Sequence, residues 1–257
     1  MTKFKVRIHK SSVASRIILA NDYDLGTEKL VSKTLGNIKT LSEYICAIKL
    51  NFHTLLPLGK KEITRINKTA HDYGLQTIAD IKLNDIGNTN LVTTKTLWSL
   101  GFDAVIANPI MGLDALSKIV KTAHNSNNGV IALCHMSSPE AKLSYDMNVK
   151  LSNSKLTSLY NVFLKWAISS KTDGIIVGAT FPKIIKECKK AIGKKMDIYS
   201  PGVGVQGGNP KQTIESGSDF LIVGRTILNS KNPVQTAKKL QESIKLHMIM
   251  DYKQLLI

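Results

Sequence analysis

A short segment at the end of one apolar run carries charges of alternating sign. In the sequence Asp80-Ile-Lys82-Leu-Asn-Asp85, one ammonium group stands between two carboxylates. A charge that has an opposite neighbour stays ionised even where water is excluded. Opposite charges about 4 Å apart attract by roughly 4 kcal/mol at an effective dielectric constant of 20, and a substrate carboxylate beside Asp80 would feel repulsion of similar size. The segment therefore predicts a site that acts on a bound substrate electrostatically.

Two earlier apolar runs also end in a charge, at Asp22 and Lys49. Side chains at positions i, i+2 and i+4 of a strand share one face. The three predicted inward faces are Ile18-Ala20-Asp22, Ile45-Ala47-Lys49 and Ile78-Asp80-Lys82. A solvated strand end would explain one such charge. Three consecutive strands with this pattern indicate one shared mouth where the strand ends meet.

The elements that must position these charges are recognisable as an alternating pattern. Short apolar runs alternate with amphipathic segments of helical length, and the runs lie at 16–22, 44–50, 75–82, 102–108, 129–136, 173–179, 196–200 and 219–224. Eight strand–helix repeats in about 250 residues are typical of an α/β fold of the (β/α)8 TIM-barrel type. We predict one such domain over residues 1–257, and a doubly wound open sheet is the main alternative.

Composition narrows the functional classes. The formal net charge is +16, with 35 lysines and arginines against 19 acidic residues. The lysines are spread along the chain without interleaved aromatic residues, so we expect no nucleic acid as partner. No apolar run of about 18 residues is present, so we expect no membrane association. The chain start lacks the apolar core of a signal peptide, and three scattered cysteines without metal spacing favour a reducing cytoplasm.

A glycine-rich loop late in the chain raises a different possibility. "SPGVGVQGG", residues 200–208, matches the Gly-x-Gly-x-x-Gly spacing of dinucleotide-binding loops. The next helix opens only at Asn209-Pro210, and no acidic residue follows at the distance needed to bind a ribose. The glycines favour a close backbone approach to a phosphate instead. Arg225, directly after the apolar run 219–224, can pair with such a phosphate through two parallel hydrogen bonds.

These motifs, taken in order, resemble the orotidine 5′-phosphate decarboxylase family. The segment from Asp80 to Ile86 is similar to its D-x-K-x-x-D-I signature. The similarity includes "ILAND" ending at Asp22, "IKLNFHTLL" with Lys49, "HMSSP" with Ser137, "SPGVGVQGG" and "FLIVGRTI", and it extends over about 16–235. The D-x-K-x-x-D motif alone is shared with relatives that act on sugar phosphates. The combination of this motif with the glycine-rich loop is specific for the decarboxylases. The sequence is most similar to their shorter, archaeal-type members.

The resemblance implies decarboxylation of orotidine 5′-phosphate to UMP in pyrimidine biosynthesis, without metal or organic cofactor. It makes Lys82 the proton donor to C6, places Asp80 beside the leaving carboxylate, and lets Lys49 hold the charged network together. It implies a homodimer in which Asp85, Ile86 and Thr89 reach the other subunit's site. The remaining implied contacts to the nucleotide are Asp22 and Thr89 at the ribose, Ser137 at the pyrimidine, and Pro201, Gly204, Gln206, Gly224 and Arg225 around the phosphate.

Two positions depart from the family pattern, and two other functions compete. Asn21 stands where an apolar residue is common, and Asn108 stands where relatives often carry histidine.

One alternative function is that of a sugar-phosphate lyase on the same barrel, which would need a magnesium ligand set. The other is a basic RNA-binding barrel, which would bind RNA with a steep dependence on salt.

Overall fold

The computed structural model describes residues 2–151 and 155–254, with side chains of the last helix described up to residue 244. Eight parallel strands form a closed barrel, and a two-stranded antiparallel hairpin stands apart from it. In chain order the strands are β1 Ile17–Ala20, β2 Ala47–Asn51, β3 Gln76–Leu83, β4 Ala104–Ala107, β5 Gly129–His135, β6 Asn148–Val149, β7 Thr157–Ser158, β8 Gly174–Val177, β9 Asp197–Pro201 and β10 Phe220–Val223. The predicted barrel fold is confirmed, and each predicted run overlaps a barrel strand, although β2, β3 and β9 extend one residue beyond their runs. Strands β6 and β7 form the hairpin.

Helices follow the barrel strands in the alternation that the sequence predicts. They are α1 Lys3–Ser11, α2 Thr27–Leu41, α3 Phe52–Leu55, α4 Lys60–Asp72, α5 Gly87–Ser99, α6 Leu113–Asn125, α7 Ala141–Ser144, α8 Leu159–Ser170, α9 Pro182–Ile192, α10 Pro210–Glu215, α11 Arg225–Leu228 and α12 Pro233–Gln254, with a 3₁₀ turn at Pro109–Met111. Helix α8 begins only at Leu159, because the preceding residues Thr157 and Ser158 pair with β6.

The strands separate two apolar layers. Ile18, Ala47 and Ile78 belong to a cluster that includes the barrel interior, whereas Ile17 and Leu19 pack in a second cluster with the surrounding helices. This alternation follows from the two-residue period of a strand. The expectation that Ile45 shares the face of Ala47 is wrong, because Ile45 precedes β2 and packs in the helix-side cluster.

Helix α1 closes the amino-terminal end of the barrel. Phe4 and Ile8 are fully buried in it. Lys5 lies 3.3 Å from Asp197, and its Nζ donates to the carbonyl oxygens of residues 194 and 195. His9 contacts the other oxygen of Asp197 at 2.9 Å. Lys5 is therefore a buried basic residue and does not belong to a solvated face.

Asp103 connects this closing helix to the barrel. Its carboxylate contacts Arg7 at 2.9 Å and His71 at 2.8 Å, and it accepts from the backbone N–H of Thr77 at 2.8 Å. Burial alone would raise the pKa of Asp103, but the hydrogen bond from His71, its charge, and the contacts with Thr77 and Arg7 lower it below its ordinary value. A carboxylate held in this way stabilises the fold while it is ionised.

Two properties bear on the protein's surroundings. Among the described residues, no helix has the length and apolar character needed to cross a lipid bilayer. Cys46, Cys134 and Cys188 are all buried free thiols. Burial raises the pKa of each thiol, so these side chains are packed as small apolar groups.

Candidate active site

A cavity of about 440 Å³ opens at the carboxyl ends of the barrel strands. All eight barrel strands, or the loops directly after them, contribute to its wall, as expected where parallel strands share one mouth. Apolar side chains from four strands line part of it, namely Ile106, Leu133, Ile176 and Ile222. The residues predicted from sequence that line it are Asp22, Lys49, Asp80, Lys82, Ser137, Pro201, Gln206, Gly224 and Arg225.

Four of these side chains form a chain of alternating charge across the wall. Lys49 Nζ lies 3.5 Å from Asp22 Oδ2 and 2.8 Å from Asp80 Oδ2. The second oxygen of Asp80, Oδ1, lies 2.9 Å from Lys82 Nζ. Lys49 and Asp80 are almost fully buried, whereas the Lys82 side chain is 37% exposed. The most accessible ammonium group of the network therefore faces the cavity.

The pairing keeps the buried members of the network ionised. Burial alone would lower the pKa of Lys49, but the carboxylates of Asp80 and Asp22 outweigh it and raise that pKa above its ordinary value. Burial alone would raise the pKa of Asp80, but Lys49 and Lys82 lower it below its ordinary value. Both groups are therefore charged at neutral pH, and the cavity wall carries a fixed pattern of charge.

The backbone at Lys82 is unusual. Its φ of 48° lies in the left-handed region, which residues with a side chain seldom adopt. Between Ala79 and Leu83 the register between β3 and β4 also shifts. A left-handed residue costs about 1–3 kcal/mol and persists where the surrounding structure enforces it, most often at functional sites. Here it brings the Lys82 ammonium group to Asp80 at the end of the strand.

Asp22 leaves a buried acceptor without a partner. Its Oδ1 is buried and accepts no hydrogen bond among the described residues. The preceding Asn21 is fully buried, donates to Thr34 at 2.8 Å and accepts from Asn37 at 2.8 Å. This amide network accounts for a polar residue at a position where the family commonly has an apolar one. It fixes the backbone that presents the free oxygen to the cavity.

The glycine-rich loop and Arg225 form the opposite wall. Gly202 and Gly204 have φ values of 96° and 79°, and a Cβ on Gly204 would lie 2.2 Å from the Thr226 hydroxyl. That hydroxyl donates to the carbonyl of Val203 at 3.1 Å and holds the loop in place. Sequence reasoning missed Thr226, although a hydroxyl residue directly after the arginine is a detectable signal. Among the described residues, no carboxylate lies within ion-pair distance of Arg225.

Four predicted residues do not line the cavity. Gly204 shapes the loop but does not contribute to the wall. Asp85, Ile86 and Thr89 are exposed on the outer rim, at the start of α5, where Ile86 is 75% exposed. Within residues 2–151 and 155–254, no group of three or more His, Cys, Asp or Glu side chains is arranged to hold a metal ion.

Comparison with known proteins relates this geometry to a family. Residues 15–240 match the family described as "Orotidine 5'-phosphate decarboxylase / HUMPS family". The orotidine 5′-phosphate decarboxylase of Thermococcus kodakarensis is 32% identical over 90% of this chain and 97% of its own, and that of Pyrococcus furiosus is 30% identical over 83% and 92%. The Methanocaldococcus jannaschii enzyme, solved with the inhibitor BMP, superposes with a TM-score of 0.74 at 26% identity over 89% of this chain and 97% of its own. The chain therefore belongs to the orotidine 5′-phosphate decarboxylase/HUMPS family, and within it to the archaeal type of decarboxylase.

Proposed function

We propose that this protein decarboxylates orotidine 5′-phosphate to UMP, the last step of de novo pyrimidine synthesis, without metal or organic cofactor. The observation that carries this proposal is the Lys49–Asp80–Lys82 network, which places a fixed carboxylate between two ammonium groups inside one cavity wall. The archaeal decarboxylases that the chain resembles support the choice of substrate. Such preorganised charges stabilise a developing charge without reorganising during the reaction.

The reaction breaks the bond between C6 of the pyrimidine and its carboxylate carbon. CO2 leaves, the electron pair of that bond remains on C6, and a proton from the Lys82 ammonium group then forms the new C6–H bond. Lys82 is the accessible cation of the network, and its contact with Asp80 at 2.9 Å holds it in place. Asp80 lies beside the leaving carboxylate, and Lys49 keeps Asp80 ionised. General acid catalysis of this kind contributes about 10²–10⁴-fold to a rate.

The rest of the nucleotide lies along the remaining wall. A ribose hydroxyl donates to the free Oδ1 of Asp22, which removes an otherwise unsatisfied buried acceptor. The phosphate lies between the glycine-rich loop and Arg225. Gln206 accepts a hydrogen bond from Ser137 at 2.9 Å and so connects the phosphate loop with the pyrimidine side of the cavity. Phosphate binding far from C6 supplies energy that can be used in the transition state.

The rim residues belong to a second site in this proposal. Asp85, Ile86 and Thr89 are exposed beside one cavity and reach into the cavity of a partner subunit, so the active form is a homodimer. Large apolar side chains are exposed after three consecutive barrel strands, namely Phe52 and Leu56 after β2, Ile86 and Val92 after β3, and Ile110 after β4. Exposed apolar groups that cluster on one side of a protein are typical of a subunit interface.

The proposed reaction is tested by adding orotidine 5′-phosphate to the purified protein with EDTA present. Loss of substrate absorbance is followed, and UMP is identified by chromatography. We expect turnover with EDTA, and none with the Lys82→Ala variant as the matched control. If the folded, metal-stripped protein converts substrate only after a divalent ion is added, the reaction belongs to a metal-dependent lyase and the proposal is wrong.

We also propose that the protein works in the reducing cytoplasm. Its three cysteines are free thiols, and disulfides are rare in that compartment. Cell fractionation with an antibody against the native chain tests this location, and recovery of the protein in the secreted fraction would contradict it.

A further inference from the structure

The last residue of β5 is a histidine that bonds two acceptors at once. His135 has no exposed surface. Its Nδ1 lies 2.8 Å from the carbonyl oxygen of Met136, and its Nε2 lies 3.2 Å from Asp146 Oδ1. Neither a carbonyl oxygen nor an ionised carboxylate can donate a proton, and a neutral imidazole carries only one N–H. Both bonds therefore form together only when the ring is an imidazolium ion.

Of the groups packed around the His135 ring, one is an anion that can balance a positive charge on it. The Phe181 ring lies 4.4 Å away, and the rings of Tyr145 and Tyr160 lie 5.5 and 5.8 Å away. Burial raises the pKa of both tyrosines to about 12, so neither is charged at neutral pH. The hydroxyl of Tyr160 also donates to the Glu187 carboxylate at 2.7 Å. That carboxylate therefore pairs with the phenol and not with the His135 ring.

Cys134, which precedes His135 in the chain, is also uncharged. Burial raises the pKa of the Cys134 thiol well above its ordinary value. Asp146 is thus the carboxylate that, among the described residues, contacts the ring directly. Its side chain is 35% exposed, so the contact connects a buried strand end with the protein surface.

The two bonds connect both ends of one segment of the cavity wall. Residues 136–146 leave β5, carry Ser137 and Ser138 past the cavity, and return to the ring at Asp146. Ser137 is held further by its hydrogen bond to Gln206, and its carbonyl accepts from Thr180 at 2.9 Å. A loop whose ends are joined has fewer conformations available than a free one.

We propose that His135, as an imidazolium ion, is a positioning residue: it joins the two ends of residues 136–146 and thereby fixes Ser137 against the pyrimidine. The role of Ser137 at the pyrimidine rests on the proposed function. The protonation state of the His135 ring is independent of that function, so the ring and the function can be tested separately. Asp146 is the accessible half of this pair and is the residue to change, because a variant of the fully buried ring risks failing to fold.

The first test is spectroscopic and needs no ligand. Side-chain ¹⁵N signals of the histidines are recorded at neutral pH, and His135 is assigned by the signal that His135→Gln removes. We expect both ring nitrogens of His135 to be protonated in the wild type, and the ring to become neutral in Asp146→Ala, where its counter-charge is absent. A neutral tautomer in the wild type would overturn the proposal. If His135→Gln does not fold, the signal that changes in Asp146→Ala provides the assignment.

The second test separates positioning of the base from general damage to the fold. Loss of a hydrogen bond between charged groups weakens an interaction by roughly tenfold or more, so Asp146→Ala should raise the Kd for UMP about tenfold. The Kd for ribose 5-phosphate, which lacks the base, should stay within about twofold of wild type. Asp146→Asn removes the charge, but its amide N–H can donate to the Nε2 of a neutral ring and still join the two ends of the loop, so this variant should recover most of the affinity for UMP. Asp72→Ala removes an exposed carboxylate on α4 and is the matched control, expected to leave both affinities unchanged.

The outcomes distinguish this inference from the proposed function. Equal weakening of UMP and ribose 5-phosphate in Asp146→Ala, or no recovery with asparagine, would show a merely structural contact and contradict the positioning role. Failure of the wild type to decarboxylate orotidine 5′-phosphate would instead contradict the proposed function, whatever the ring's protonation state.

Discussion

Replacing Asp80 by asparagine removes the charge at the centre of the network while keeping the shape of the side chain. The wild-type contact to Lys49 Nζ is 2.8 Å long and buried on both sides. At an effective dielectric constant of 20, a pair at that distance attracts by about 6 kcal/mol before desolvation is subtracted. Removing one partner of a buried pair leaves the other charge uncompensated and costs about 3–5 kcal/mol. The contact to Lys82, which is screened by solvent, adds at most about 1 kcal/mol.

The free energy of unfolding of Asp80→Asn should therefore fall by about 3–5 kcal/mol at pH 7, measured by urea denaturation. The folded-state pKa of Asp80 is lowered, so its contribution is present above the ordinary value of 3.8 and is lost as the pH falls through the lower folded-state value. The difference in unfolding free energy between variant and wild type should thus narrow as the pH falls from 3.8 towards the lower folded-state pKa. Asp72→Asn removes an exposed carboxylate from an i,i+4 pair and should change stability by less than about 0.5 kcal/mol. A variant as stable as the wild type at pH 7 would refute the view that the network is held by buried charge.

Four further outcomes are expected. Lys82→Ala should lower kcat by at least about 10²–10⁴-fold without loss of folding by circular dichroism, and near-normal turnover would remove Lys82 from the reaction. Lys82→Ala and Asp85→Ala subunits, each inactive alone, should regain partial activity after exchange, because one hybrid site holds both groups; no recovery after verified exchange would place Asp85 in its own subunit's site. Arg225→Ala should lower kcat/KM for orotidine 5′-phosphate by about 10²–10⁴-fold and leave orotidine, which lacks the phosphate, little affected. Arg65→Ala, on the exposed side of α4, is its control, and an equal loss on both substrates would indicate a structural role for Arg225. Asp103→Asn should reduce the free energy of unfolding at pH 7 by about 1–3 kcal/mol. Because the native pKa of Asp103 is lowered, the difference from wild type should shrink as the pH falls below the ordinary carboxyl pKa of 3.8. A difference that stays constant with pH would contradict this.

The barrel could be predicted from sequence because parallel strands buried on both faces read as continuous apolar runs. The same reasoning could not find α1, whose two fully buried side chains, Phe4 and Ile8, are surrounded by basic residues. It also missed the β6–β7 hairpin, whose strands are two residues each and carry no periodic signal. The extent of the predicted single domain stays a prediction, since Met1 and residues 152–154 and 255–257 lie outside the described residues.

The cavity charges could be anticipated because the strand period places Asp80 and Lys82 on one side. The structure reaches the same contact by another route, since Lys82 has a left-handed backbone and the register shifts beside it. Such a shift depends on the neighbouring strand, which local sequence does not reveal. Partners distant in sequence were equally hidden, as the bonds of Asn21 to Thr34 and Asn37 show.

The closing helix sets an order in which the protein can be assembled during synthesis. Helix α1 precedes every barrel strand, yet Lys5 bonds residues 194, 195 and 197, which are translated about 190 positions later. Contacts of such long separation form late, because a long chain must first be brought together. While the ribosome adds the middle of the chain, Phe4 and Ile8 therefore have no completed barrel to cover them. A ribosome-bound chain that ends before β9 should expose these side chains to chaperones, whereas the full chain released from the ribosome should protect them.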